Sequence, residues 1–353
     1  MKFINLILNI FVLLISSFLY ICDCKAKTIE VPAGNSIQLA IDLAEDGDLI
    51  QLAIGSYPED IDFKGKSITI TGFGRDTFIL GLGDNPVVSF TSGENNSAIL
   101  DYLTVRGGNQ SGGILVRDSS PTIRRCFIER NRSINNASAI FIDGELNTGD
   151  LFSGSVSAQI HNNIIAFNRQ NKKKRRKPPV MNVQNASPNN FNNNFVRNDN
   201  DAILVSASSA PIIKNNIFFH NGSSRRSLGY GIHLNSVPGS ENLVIAYNLF
   251  NRNQEGALLY ENFGSDSSSF ANGETEAMEA FLNDNYSSSD SLFIGNISGD
   301  PRFVRVNEAE NLRLKDKSPA RNAGDPEEFN ENSSRINMGA NGGEFGIYRI
   351  LND

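Results

Sequence analysis

The 353-residue chain contains no tryptophan, three cysteines, three histidines and four methionines. With so little thiol and imidazole, a disulfide framework and a zinc site of closely spaced Cys and His ligands are both excluded as organising features. His161, His220 and His233 are far apart and have no ligand-spaced partners. Charged residues make up only 20%, which argues against wholesale disorder. The net charge of −7 argues against general nucleic-acid binding. No phosphate loop, dinucleotide fingerprint or nucleophile elbow occurs.

What the chain does have is phenylalanine, asparagine, serine and glycine, a mix suited to many short strands joined by tight turns. Lys2 followed by an apolar stretch from Phe3 to Ile21 reads as a signal peptide over residues 1–26. The small residues at Cys24 and Ala26 suit cleavage after Ala26; an uncleaved anchor is the alternative. Cleavage would leave Cys126 as the one thiol of a secreted, periplasmic or cell-surface domain over residues 27–353, with no remaining membrane span.

Five six-residue segments align without gaps. They begin at Cys126, Asn163, Asn193, Asn216 and Asn248, with the pattern Asn/Cys, any, Ile/Phe, any, any, Asn. Ile123, Ile160, Ile213 and Ile245 lie three residues upstream, and Asn190 breaks that rule. The starts are 37, 30, 23 and 32 residues apart. The shortest interval matches one turn of a solenoid built from three short strands, and the longer ones add loops. The upstream Ile and the Ile/Phe two residues downstream point inward. The leading residue sits at the bend between them, where Asn tolerates left-handed backbone angles. Stacked residues of this kind, Cys126, Asn163, Asn193, Asn216 and Asn248, form a structural ladder that pairs otherwise orphaned amides.

A third strand type lies between these segments: Gly113–Val116, Ala139–Ile142, Val180–Val183, Ala202–Val205, Gly231–Leu234 and Ala257–Tyr260. Apolar residues alternate, so one face points in and one out.

These motifs resemble the repeats of secreted bacterial right-handed parallel β-helix proteins, the pectin-lyase-like architecture. The resemblance implies an all-β, right-handed parallel β-helix solenoid. The stretch from Val31 through Ile37 to Tyr57 resembles the opening of that family, with an N-terminal capping helix carrying Ile37, Ile41 and Ala44 on one side. Gly299–Phe303 with Leu312–Leu314 and Ser318–Ala320 resembles its closing segment, here 299–353. Two insertions depart from the repeat. Residues 171–179 form a basic loop that is either solvated or grips an anionic polymer. Residues 264–292 enclose a short helix with Ala277, Met278, Phe281 and Leu282 on one face, a lateral or terminal cover, with a mobile lid over a groove as the alternative.

In proteins of the architecture these motifs resemble, active sites lie on the outer face of the third strand type or in flanking loops. Its central outward row is Leu115, Phe141, Asn182, Leu204, His233 and Leu259; two residues on come Arg117, Asp143, Gln184, Ser206, Asn235 and Glu261. Arg117, Asp143, His233 and Glu261 are the candidate substrate-binding residues. Arg117 faces Asp143, and His233 and Glu261 occupy neighbouring rungs. A uronate lyase would need a base and carboxylates to hold Ca²⁺, and no carboxylate ladder lies on this face, so no cofactor is evident and Ca²⁺ stays an unsupported alternative. Asp199 and Asp201 faintly resemble the paired aspartates of polygalacturonases but read better as turn caps. The chain thus reads as a monomer that binds, and if an enzyme processes as a lyase or glycoside hydrolase, an extracellular polysaccharide or cell-surface glycan. The alternative is a non-catalytic surface scaffold.

Overall fold

The computed structural model describes residues 26–144, 156–170, 178–222, 229–239, 242–262, 266–307, 311–330 and 332–347. The apolar N-terminal stretch and the run of basic residues 172–177 lie outside them.

Each rung runs through three sheets in turn. Thr122–Arg124 belongs to sheet I, Phe127–Glu129 to sheet II and Ile140–Asp143 to sheet III. Sheet I stacks ten strands from Thr28–Val31 to Leu292–Ile294, and sheet II nine from Gly55–Tyr57 to Ile297–Ser298. Sheet III has nine, beginning at Ile61–Asp62. The strands pair in parallel until Gly256–Glu261, which takes Ser267–Phe270 antiparallel on its free edge. Parallel strands joined by crossovers of one hand give a right-handed parallel β-helix.

The core is the column of inward residues. Ile123, Ile160, Ile213 and Ile245 fill it from sheet I, and Ile128, Ile165, Phe195, Phe218 and Phe250 from sheet II, all fully buried. The three phenylalanines stack at 5.2 and 5.0 Å. Asn190 also points inward, where its Oδ1 accepts from Asn193 Nδ2 at 2.6 Å.

The asparagine ladder forms at the bend. Asn193 Nδ2 donates to Ile160 O at 2.7 Å, and Asn193 N donates to Asn216 Oδ1 on the next rung at 2.8 Å. Asn163, Asn216 and Asn248 repeat these bonds, and Cys126 N donates to Asn163 Oδ1 at 2.9 Å. Two features differ from expectation. The left-handed residue is the one before each ladder position: Arg125, Asn162, Asn192, Asn215 and Tyr247 have φ between 52° and 58°. The ladder amide itself holds this bend together. The final Asn of the six-residue pattern builds a second ladder of Asn131, Asn168, Asn198, Asn221, Asn253 and Asn272.

Helix α1 (Ile37–Leu43) closes the N-terminal end, with Ile37, Ala40 and Ile41 buried. Its start is fixed by the Ser36 hydroxyl, which accepts from Leu39 N at 3.1 Å, and by Glu59, which accepts from Ile37 N and Gln38 N. Helix α2 (Thr275–Asn285) closes the other end, with Met278 and Leu282 in the core. Within the insertion, α2 therefore covers this end, although Ala277 faces solvent. Glu279 Oε1 on α2 accepts from Asn296 N and Nδ2, at the last step of the first ladder.

The closing segment runs back along the solenoid. Phe303, Leu312, Ala320, Met338, Ala340 and Ile347 bury the outward residues of sheet II in a second apolar cluster with Phe127, Ile164, Val196, Ile217, Phe219 and Leu249. Gly339 N donates to Asn215 O at 2.6 Å, and Lys214 pairs with Asp325 at 3.1 Å.

Candidate functional site

The register of sheet III fixes which outward side chains are neighbours. Leu115 pairs with Phe141, Phe141 with Asn182, Asn182 with Leu204, Leu204 with His233 and His233 with Leu259. In the second row Arg117, Asp143, Gln184, Ser206, Asn235 and Glu261 follow one another in the same way. Each step is about 4.8 Å, the spacing of hydrogen-bonded strands.

This face is not a uniform groove. Phe141 and Asn182, 5% and 8% exposed, are covered although they point outward. Asn182 Nδ2 lies 3.5 Å from Asn136 O, in the loop after the flanking strand Arg132–Ser133. The face is more open on both sides of this closure, at Leu115 and Arg117 and from Leu204 to Glu261.

The four candidates therefore fall into two pairs. Arg117 Nε lies 3.6 Å from Asp143 Oδ2, and Gln184 Nε2 donates to Asp143 Oδ1 at 2.8 Å. Three rungs on, about 14 Å by strand spacing, His233 Nε2 lies 2.9 Å from Glu261 Oε2. The other ring nitrogen, Nδ1, lies 3.2 Å from Asp201 Oδ2. Asp201 is thus more than a turn cap. Its Oδ1 accepts from Tyr230 N at 2.9 Å, and its Oδ2 fixes the plane of the imidazole. The signal was present in the alignment: Asp201 precedes Ala202, one rung below Gly231, and His233 follows Gly231 by two.

Burial of His233 opposes its charge, but Asp201 and then Glu261 outweigh it and hold the pKa above the ordinary value. The Tyr230 hydroxyl is pushed up by burial and by the nearby acids Glu255, Asp201 and Glu261, against a hydrogen bond with Ser269. Side-chain exposure rises along the triad from 14% at His233 and 17% at Asp201 to 45% at Glu261. Glu261 is the member that meets solvent. The other histidines lie elsewhere: His161 stacks on Phe191 at 4.9 Å, and His220 has a left-handed backbone at the second bend. Among the described residues, no group of three His, Cys, Asp or Glu side chains is arranged to hold a metal ion.

The two carboxylates face each other across one imidazole. By ring width plus a hydrogen bond on each side they stand roughly 7–8 Å apart, inside the range inverting glycosidases use. The ring occupies the gap, however, and leaves no room there for a glycosidic oxygen and a water.

Residues 90–274 match the family described as the right handed beta helix region. Among solved structures the chain is similar to the crystal structure of pectate lyase Pel9A, at 15% identity and a TM-score of 0.46, covering 89% of this chain and 96% of that one. It is also similar to the PL6 family polysaccharide lyase Pedsa3628 from Pseudopedobacter saltans, at 13% identity and a TM-score of 0.25, covering 84% and 98%. Comparison with curated proteins finds no significant match.

Proposed function

This chain belongs to the right-handed β-helix family, and on that scaffold we propose that the open part of the sheet III face, from Leu204 to Glu261, binds a glycan. The observation that carries the reading is the pairing of two rows on neighbouring rungs. Leu204 and Leu259 present apolar surface in the centre, and Ser206, Asn235 and Glu261 present polar groups beside it. A pyranose has the same division, with an apolar ring face and a hydroxyl edge. Repetition at about 4.8 Å is close to the length of one sugar ring, so successive rungs meet successive units of a chain.

The ligand is an extracellular polysaccharide or cell-surface glycan, met by a monomer outside the cytoplasm after removal of residues 1–26. Binding is favoured over cleavage because His233 fills the space between Asp201 and Glu261. A second reading, hydrolysis, is supported by the roughly 7–8 Å separation of those carboxylates and requires the imidazole to swing aside. No cofactor enters either reading.

A glycan array with the purified mature chain, run beside assays for new reducing ends and unsaturated uronates, tests both. Binding without turnover, weakened in Glu261→Ala, supports the proposal. Turnover that vanishes in Glu261→Ala or Asp201→Ala establishes catalysis instead. No binding and no turnover on a broad panel overturns the glycan reading.

A further inference from the structure

Asn182 stands in the central outward row of sheet III, one rung before Leu204, where the open part of the face begins. It is buried, yet its side chain is poorly paired. Nδ2 reaches Asn136 O at 3.5 Å, the outer limit of a hydrogen bond. Oδ1 is buried with no partner. A polar side chain this deep normally has both ends paired, and an acceptor withdrawn from water without a donor is held at a cost. Gln184 and His233, by contrast, are fastened. Gln184 Nε2 donates to Asp143 Oδ1 at 2.8 Å, and both ring nitrogens of His233 are engaged by Asp201 and Glu261.

The cover over Asn182 comes from the loop between Arg132–Ser133 and Ile140–Asp143. That loop is firm at its ends. Ile134 N donates to Gln110 O at 3.0 Å, Ser138 N donates to Pro179 O at 2.9 Å, and Ala137 is buried. Asn135 and Asn136 between them are exposed. Asn135 N donates to Ser133 Oγ at 3.2 Å. Among the described residues, the long contact with Asn182 is the hydrogen bond that Asn136 makes.

We propose that Asn135 and Asn136 gate a further subsite of the sheet III face, with Asn182 as its contact for one more unit of a bound glycan. The inference rests on the glycan reading of that face. Leu204, His233 and Leu259 supply three central positions at steps of about 4.8 Å, and Asn182 supplies the fourth in the same line. Once Asn136 moves away, the Asn182 amide offers a donor and an acceptor side by side, which two neighbouring hydroxyls of a sugar ring satisfy together. The glycan thereby pairs the oxygen that the closed form leaves unpaired. A chain of three units fits the open face without touching the gate. A chain of four gains the extra contact only in the open form, so its apparent affinity is scaled by the fraction of molecules that are open.

Calorimetric titration of the purified mature chain with cello-, manno-, chito- and galacturono-oligosaccharides of three and four units is the test. In the series that binds, the four-unit chain should bind the parent at least threefold more tightly than the three-unit chain. Asn136→Gly, which widens the backbone freedom of the gate, should raise that ratio at least threefold again. Asn182→Leu keeps the size of the side chain and removes both polar groups together, so the variant should fold; it should bring the ratio to one. A purely structural role for Asn182 moves the melting temperature and leaves the ratio alone. A ratio of one in the parent, an unchanged ratio in Asn136→Gly, or a ratio that survives in Asn182→Leu overturns the gated subsite and leaves the sheet III reading intact. Binding by none of the series at either length overturns both.

Discussion

His233 and Glu261 meet at 2.9 Å across adjacent rungs, and Asp201 meets the other ring nitrogen at 3.2 Å, so both faces of the imidazole's proton chemistry are occupied. Its pKa is raised in the fold above the value of about 6.5 expected of an unfolded chain. Folding therefore favours the protonated form. The stabilisation is complete below about pH 6.5 and is lost as pH rises through the folded value. The difference in melting temperature between the parent and His233→Gln should be larger at about pH 5.5 than at about pH 9. A difference that is flat, or that grows with pH, contradicts the clamp.

His161 behaves in the opposite sense. Burial lowers its pKa to about 4, against a partial rise from the Asn162 hydrogen bond. The unfolded chain binds a proton first, so stability is complete above about pH 6.5 and declines as pH falls toward 4, by about 3 kcal/mol. His161→Phe, which preserves stacking on Phe191, should flatten this decline in chemical denaturation between those limits. An unchanged slope would assign the acid sensitivity elsewhere.

Asn216 makes four ladder contacts: Nδ2 donates to Asn190 O at 2.9 Å and Asn248 Oδ1 at 3.1 Å, and Oδ1 accepts from Asn193 N at 2.8 Å and Nδ2 at 3.3 Å. Alanine leaves buried backbone groups unpaired, so Asn216→Ala should destabilise by about 1–3 kcal/mol. Asn221→Ala in the second ladder should lose a similar amount. Urea midpoints equal to the parent's would refute the ladders as stabilising elements.

Met338 is fully buried between the closing segment and sheet II. Met338→Ala should cost about 2–5 kcal/mol. Deleting residues 299–353 should bare the sheet II row from Phe127 to Leu249, seen as dye binding and aggregation. A monodisperse deletion variant would show that the segment is not needed as a cover.

The repeat made the rungs, the inward column and the sheet III register legible, because strand alternation and bend chemistry are local and recur. The triad was half legible. His233 and Glu261 stood on aligned positions, whereas Asp201 lies 32 residues from His233 and its short side chain also suits a turn. The closing segment has no period of its own, so its path was not readable. A signal existed on the other partner: Phe127, Ile164, Val196, Phe219 and Leu249 are apolar on the outward side of sheet II, and strands apolar on both faces ask for a cover.

The first ladder has a direction, since each asparagine Oδ1 accepts from the ladder residue of the rung before it while its backbone N donates to the ladder residue of the rung after. Glu279 ends that sequence with a group that only accepts. The antiparallel strand Ser267–Phe270 occupies the neighbouring sheet edge. A second molecule arriving end-on at sheet III finds an antiparallel strand in place of a parallel one to extend. The stacking that lets cross-β fibrils grow without limit is here closed off along the first ladder and along sheet III.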